Sequence, residues 1–240
     1  MQKLFVDYTP DEMVYLDDEQ SRHIAKSLRM KVGDMLMLSC GDGKDYGCII
    51  EEITQNQVVL KKCYEQANKS EPTVFLRIYQ GVPKGDKLED IIQKCTELGA
   101  SEIIPVITHR SVSRPDGKAA AKKQVRYQKI ALEAAQQSGR GIVPEIKEMT
   151  NLTTAVSQDE SELKILFYEG GGKPLKALIN KGIKSISVYI GPEGGFEKTE
   201  VELILSNGGE VATLGKRILR TQTAPVAAAA AIMLLTENLE

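Results

Sequence analysis

Ser185–Phe196 reads S-I-S-V-Y-I-G-P-E-G-G-F, and Val211–Pro225 reads V-A-T-L-G-K-R-I-L-R-T-Q-T-A-P. In each, a short apolar run stops at a glycine: Ile186–Ile190 at Gly191, and Val211–Leu214 at Gly215. Runs this short suit strands of a parallel sheet, which are covered on both faces and need not alternate. In an open parallel sheet, ligands bind beyond the carboxyl ends of the strands. The loops Gly191–Phe196 and Gly215–Thr223 are therefore expected on neighbouring strands, meeting at one site. Gly191, Gly194 and Gly195 have no Cβ, so the chain can turn sharply and a ligand can approach its peptide groups. Pro192 fixes φ and removes a donor. Taken singly, either loop reads equally as a strand-to-helix turn; the pair points to a ligand.

Neither loop has the G-x-G-x-x-G of a dinucleotide fold or the G-x-x-x-x-G-K-[ST] of a phosphate loop. Gly81–Lys87 (G-V-P-K-G-D-K) resembles the latter only superficially, since Lys87 stands two residues after Gly85 and is followed by Leu88.

Outward from this stretch, strands and helices alternate. Thr73–Gln80, Glu102–Ile107 and Leu163–Tyr168 read as strands, and Leu88–Leu98, Ala119–Ser138 and Pro174–Asn180 as helices. Thr199 with Glu202 reads as a capping box for a helix reaching Ser206, and a final helix starts near Ala224 with Pro225 in its first turn. This alternation predicts an α/β domain with a mostly parallel sheet over 73–240. Residues 1–70 read as a separate, small β-rich domain. Its strand-like runs Met35–Leu38, Cys48–Ile53 and Val58–Lys62 are separated by turn chemistry at Gly41-Asp42-Gly43 and Gln55-Asn56. A helix over Asp18–Met30, capped by Asp17 or Asp18, places Arg22, Lys26 and Arg29 on one face. Polar Glu65–Pro72 reads as the linker.

The 240 residues carry a formal net charge of −2, so a polyanionic partner has to be met by a local basic patch. Thr108–Lys129 supplies one: Arg110, Arg114, Lys118, Lys122, Lys123, Arg126 and Lys129 against Asp116 alone. Its Ser111–Gly117 segment, with a turn at Arg114-Pro115-Asp116-Gly117, suits a phosphate clamp. Lys84, Lys87 and Arg140 lie beside glycines and extend it, and Arg22, Lys26 and Arg29 form a second basic face. The four cysteines are scattered without a C-x-x-C pair and there are two histidines, so no metal site is expected. No apolar run reaches the ~18 residues a membrane span needs. Reduced thiols and the early Asp7, Asp11 and Glu12 favour a cytoplasmic location.

G-P-E-G-G-F at Gly191–Phe196 and L-G-x-R-I-L-R-T at Leu214–Thr221 resemble the SPOUT superfamily of RNA methyltransferases. T-E-L-G at Thr96–Gly99, E-A-A-Q-Q-S at Glu133–Ser138 followed by Arg140, and H-I-A-K-S-L-R at His23–Arg29 narrow the resemblance to the bacterial 16S ribosomal RNA uridine-N3 methyltransferase family. The resemblance implies a C-terminal trefoil knot that binds S-adenosylmethionine and an N-terminal PUA-like β-barrel that binds RNA. It implies 16S ribosomal RNA, within the small ribosomal subunit, as substrate, and a homodimer through the knotted region, where the five alanines Ala227–Ala231 would allow close backbone approach. One position departs from the family: Gln222 stands where glutamate is usual.

On this reading the cofactor is held by Ile190, Gly191, Pro192, Glu193 and Gly194, by Leu214, Gly215, Ile218, Leu219 and Arg220, and by Thr223 at the end of the second loop. Leu214, Ile218 and Leu219 form apolar walls, and Tyr168 and Glu169 end a third strand at the floor. Uracil N3 carries a proton that must leave before or during attack. Arg220 is the catalytic candidate, because a fixed cation favours the uracil anion; a phosphate contact or structural ion pair is its other reading. Glu193 orients its loop, accepts from the ligand's amine, or caps the helix that follows. Two rivals stay open: a ribose 2′-O methyltransferase of the same superfamily, and a non-catalytic RNA-binding ribosome-assembly factor.

Overall fold

The short apolar runs form the middle of a parallel sheet. The structure is a computed structural model that describes residues 1–55, 57–115 and 117–239. The turns expected at Gln55-Asn56 and Arg114–Gly117 therefore fall partly outside the described residues, at Asn56 and Asp116. The chain divides into two units, Met1–Glu71 with Ala135–Val143, and Pro72–Ala134 with the chain from Pro144 on.

In the first unit, β1 (Gln2–Phe5), β2 (Met13–Tyr15), β3 (Met35–Ser39), β4 (Lys44–Ile53) and β5 (Val58–Ala67) form a sheet of order β1-β3-β4-β5-β2. β1 pairs parallel to β3, and the other pairs are antiparallel. Leu36, Leu38, Tyr46, Ile50, Leu60 and Ile24 bury its core. β5 extends into the expected linker because β4 begins early enough to pair Lys44 with Ala67. Helix α1 (Asp18–Arg22) is capped by Asp17, whose Oδ1 accepts from the Gln20 amide at 2.7 Å. It continues as a π-turn over His23–Ser27 and ends at Leu28. The expected single basic face assumed uninterrupted α-helical spacing. The π-turn alters that spacing, and Arg29, at φ +53°, has already left the helix. Arg22, Lys26 and Arg29 all remain exposed. Arg140 is 3% exposed and ion-paired to Glu71 at 2.7 Å, so its side chain holds this unit together and is withdrawn from any RNA surface.

The second unit contains β6 (Phe75–Gly81), β7 (Glu102–Ile107), β8 (Glu145–Ile146), β9 (Thr150–Asn151), β10 (Leu163–Phe167), β11 (Lys173–Pro174), β12 (Ser185–Ile190) and β13 (Gly209–Thr213). The sheet order is β11-β13-β10-β12-β6-β7-β8, with β9 also on β7, and every pairing is parallel. The helices are α2 (Lys87–Glu97), α3 (Gly117–Gln137), α4 (Leu152–Ser157), α5 (Lys198–Ser206) and α6 (Ala224–Leu235). β12 and β13 are not neighbours: β10 lies between them and pairs with both. The predicted helix at Pro174–Asn180 is a single 3-10 turn, Leu175–Ala177, behind β11. The capping box of α5 is two residues earlier than predicted, where the Glu200 carboxylate accepts from the Glu197 amide at 2.8 Å. Gly99, at φ +89°, directly follows the C-cap Leu98 of α2 and so stands at the C′ position that glycine favours.

On β6 and β12, Tyr79 and Tyr189 stack with ring centroids 4.6 Å apart. The Tyr189 hydroxyl donates to buried Asp159 at 2.7 Å, as does the Ser161 hydroxyl at 2.7 Å, and Ser187 donates to the same carboxylate. Arg77 reaches Asp159 at 3.2 Å and Glu102 at 2.5 Å. Burial alone raises the Asp159 carboxyl's pKa, but hydrogen bonds from Ser187, Ser161 and Tyr189 outweigh it and hold it below the usual carboxylate range. Among the described residues no helix is long and apolar enough to cross a membrane.

Candidate active site

The carboxyl ends of β12, β10 and β13 open on one cavity of ≈ 440 Å³. β12 contributes Ile190 and the loop residues Gly191, Pro192, Glu193, Gly195 and Phe196. β10 contributes Phe167, Tyr168 and Glu169; β13 contributes Ala212, Thr213 and the whole run Leu214–Gln222, with Ala224 beyond it. Lys87, the first residue of α2, completes the lining. The two glycine-stopped loops thus meet, across a strand that their sequences do not reveal.

They are tied directly. The Thr221 hydroxyl donates to the Gly191 carbonyl at 2.9 Å. Gln80, fully buried at the end of β6, donates to Thr221 Oγ1 at 3.1 Å and to the Gly81 carbonyl at 2.9 Å. Pro192 lies so close to Gly81 that a Cβ there would stand 2.5 Å from Pro192 Cδ and 2.6 Å from its backbone nitrogen. Two expected residues lie off the lining. Gly194 turns its carbonyl to Arg110 Nη1 at 2.7 Å, and Thr223 starts α6, its amide donating to the Arg220 carbonyl at 2.8 Å. Ile218, expected as an apolar wall, is 85% exposed and forms an edge of the cavity.

Charge is unevenly placed. Glu193 is held by Lys87 Nζ at 2.5 Å and by the Lys84 amide at 3.2 Å. Burial raises its pKa, yet the bond from Lys87 and those from backbone amides outweigh burial and bring it below the usual range. Lys87, expected on RNA, is therefore a cavity residue neutralising a carboxylate. Arg110 and Arg114 are also engaged: Arg114 Nη2 donates to the His109 carbonyl at 3.0 Å, and Arg110 to Gly194. Lys216, Arg217 and Arg220, by contrast, are exposed, line the cavity, and have no ion pair among the described residues. Sequence reasoning missed Lys216 and Arg217, although they fill the gap between Gly215 and Ile218 in a loop already singled out.

Gln222, noted only as a departure, is also part of the lining, and its Oε1 is buried with no hydrogen-bond partner among the described residues. A buried carbonyl left unmatched costs about 1–3 kcal/mol.

Comparison with known proteins fits this geometry. A family model described as an RNA methyltransferase domain matches residues 69–233, and one described as an RNA methyltransferase PUA domain matches residues 16–63. Ribosomal RNA small subunit methyltransferase E of Bacillus subtilis (strain 168) is 35% identical, the match covering 100% of this chain and 98% of that protein. The protein of the same name from Synechocystis sp. is 31% identical over 94% of this chain and 74% of its own length. A crystal structure of a ribosomal RNA small subunit methyltransferase E from Neisseria gonorrhoeae, bound to S-adenosyl methionine, superposes with a TM-score of 0.91 at 30% identity and covers 98% of each chain. A backbone-walled cavity at the ends of three parallel strands, joined to these full-length likenesses, leaves one conclusion: the chain belongs to the RNA methyltransferase family.

Proposed function

We propose that this chain transfers the methyl group of S-adenosylmethionine to N3 of one uridine in 16S ribosomal RNA, in the small ribosomal subunit and in the cytoplasm. The observation that carries the proposal is the cavity in which the Gly191 and Gly215 loops meet, with Arg220, which has no ion pair among the described residues, on its lining. The residues fit the cofactor. Its ammonium and adenine amine are donors, and the Glu169 and Glu193 carboxylates on the cavity lining are acceptors. Ile190, Phe196 and Leu219 supply apolar surface, and Gly191 and Gly215 leave peptide groups approachable.

When bound, the cofactor supplies an electrophilic methyl on a sulfonium. The chain's own work is to align uracil N3 with it at about 3 Å and to favour the deprotonated ring through Arg220. Residues 1–70 serve as the PUA-like RNA-docking domain, with Arg22, Lys26 and Arg29 as its contacts, and residues 73–240 as the knotted methyltransferase domain. Dimerisation runs through that domain; α6 leaves Ala227, Ala230 and Ala231 half-buried and Leu234 60% exposed, a surface suited to a second copy.

Mass spectrometry of ribosomal RNA from cells with and without the gene tests the proposal. Loss of N3-methyluridine supports it; loss of a 2′-O-methylated nucleotide assigns the ribose reaction instead. Calorimetry that shows no S-adenosylmethionine binding at high micromolar concentration leaves only an assembly factor.

Two variants probe individual groups. Gln222→Leu removes a buried carbonyl that has no partner among the described residues, so the protein should melt slightly higher; a lower melting temperature would show that the carbonyl is satisfied. Arg22→Glu with Arg29→Glu should weaken RNA binding and flatten its dependence on salt; an unchanged slope removes both side chains from the interface.

A further inference from the structure

Helix α3 carries three lysines that no ion pair among the described residues engages. Between Lys118 and Leu132 there is no acidic residue. Lys118, Lys122 and Lys129 are exposed and have no ion pair among the described residues. At 100° per residue they fall within about 40° of one another, forming a single stripe about 16 Å long. Val125, 72% exposed, lies at its edge. The loop before the helix looked like the better clamp in sequence, but Arg110 and Arg114 are spent on backbone carbonyls. The stripe's lysines have no such bond among the described residues.

Its position connects it to the cavity. On the stripe's flank, Arg126 pairs with Glu89 of α2 at 2.6 Å. Two residues before Glu89 on the same helix is Lys87, which lines the cavity. A strand lying along α3 is therefore led toward the first turn of α2 and the cavity's edge. Three lysines on one face, none of them ion-paired among the described residues and with Glu133 only at the far end, lead to a site on an RNA methyltransferase domain and match a row of phosphates.

We infer that Lys118, Lys122 and Lys129 form a phosphate-binding track for the substrate RNA on the methyltransferase domain, holding the strand that leads to the target nucleotide. The inference rests on the proposed function for the identity of the polyanion. It differs from that reading in assigning RNA affinity to the catalytic domain itself, on a surface separate from the cofactor contacts.

The test is the full-length triple variant Lys118→Ala/Lys122→Ala/Lys129→Ala, assayed with unmodified small-subunit RNA in filter binding and in methyl transfer. Loss of three phosphate contacts should lower the slope of log affinity against log salt by about 2–3. The gap between wild type and variant should then close by about 20- to 40-fold between 50 and 200 mM salt. The KM for RNA should rise by a similar factor at the low-salt end, with S-adenosylmethionine affinity and saturated turnover unchanged. A variant whose salt slope and KM match wild type overturns the track, and the stripe is then a solvated face or a site for an acidic protein. If wild type transfers no methyl to the RNA, the proposed function falls, while the binding slopes still decide the track on their own.

Discussion

Replacing Arg220 with alanine is expected to lower turnover by about 10²–10³-fold while changing S-adenosylmethionine affinity by less than about threefold. The asymmetry follows from where the charge acts. Arg220 lines the cavity with no carboxylate partner among the described residues, so its field is not spent within the protein. The cofactor is itself cationic and gains little from a neighbouring guanidinium. A uracil losing its N3 proton gains much, because the negative charge appears only on the way to the transition state. The loop is anchored independently of the side chain: the Arg220 carbonyl accepts from the amides of Thr223 and Ala224 at 2.8 and 2.9 Å. Truncation should therefore leave the backbone in place. Single-turnover methyl transfer and calorimetry on the same preparation give the two numbers. Equal losses in both would make Arg220 a cofactor-binding group, and Arg220→Lys should recover part of the turnover if charge is what matters.

Asp159→Ala should destabilise the protein by about 3–5 kcal/mol, the usual cost of breaking a buried ion pair from one side. The change strands the hydroxyls of Ser187 and Tyr189 and half of Arg77's pairing. For a chain of this size it corresponds to a fall in melting temperature of roughly 10 °C or more. The native carboxyl lies below its ordinary pKa, so its contribution is complete above the unfolded value of about 3.9 and disappears as pH falls through the lower, folded value. Wild type should thus lose stability on an acid limb that Asp159→Ala lacks. Urea titrations across that range measure both; parallel acid limbs would show that Asp159 is not the group responsible.

The central strands were readable because Ile186–Ile190 is a mostly apolar run, interrupted only by Ser187 and ended by glycine, and both properties survive in one dimension. β1, β2, β8, β9 and β11 were not, being two to four residues long and too short to show a period. Position in the sheet was hidden as well. Nothing in β10 says that it separates β12 from β13, since spatial order depends on which side each crossover takes. In the cavity, the backbone-rich loops announced themselves through glycine and proline. The fate of each cation did not: Lys87, Arg110, Arg114 and Arg140 look alike in sequence to Lys216 and Arg217, yet only the latter two stay unpaired. That difference is set by which carboxylate or carbonyl folding brings within 3 Å.

The contact between Gly81 and Pro192 bears on inhibition. Any side chain at position 81 would collide with the proline's backbone nitrogen, a group that cannot swing aside. A compound that competes for this cavity by reading peptide groups near Pro192 would meet a wall that cannot be reshaped by changing its nearest neighbour. Resistance through local substitution would have to come from positions such as Lys216–Ile218, whose side chains are exposed and make no hydrogen bond or ion pair among the described residues.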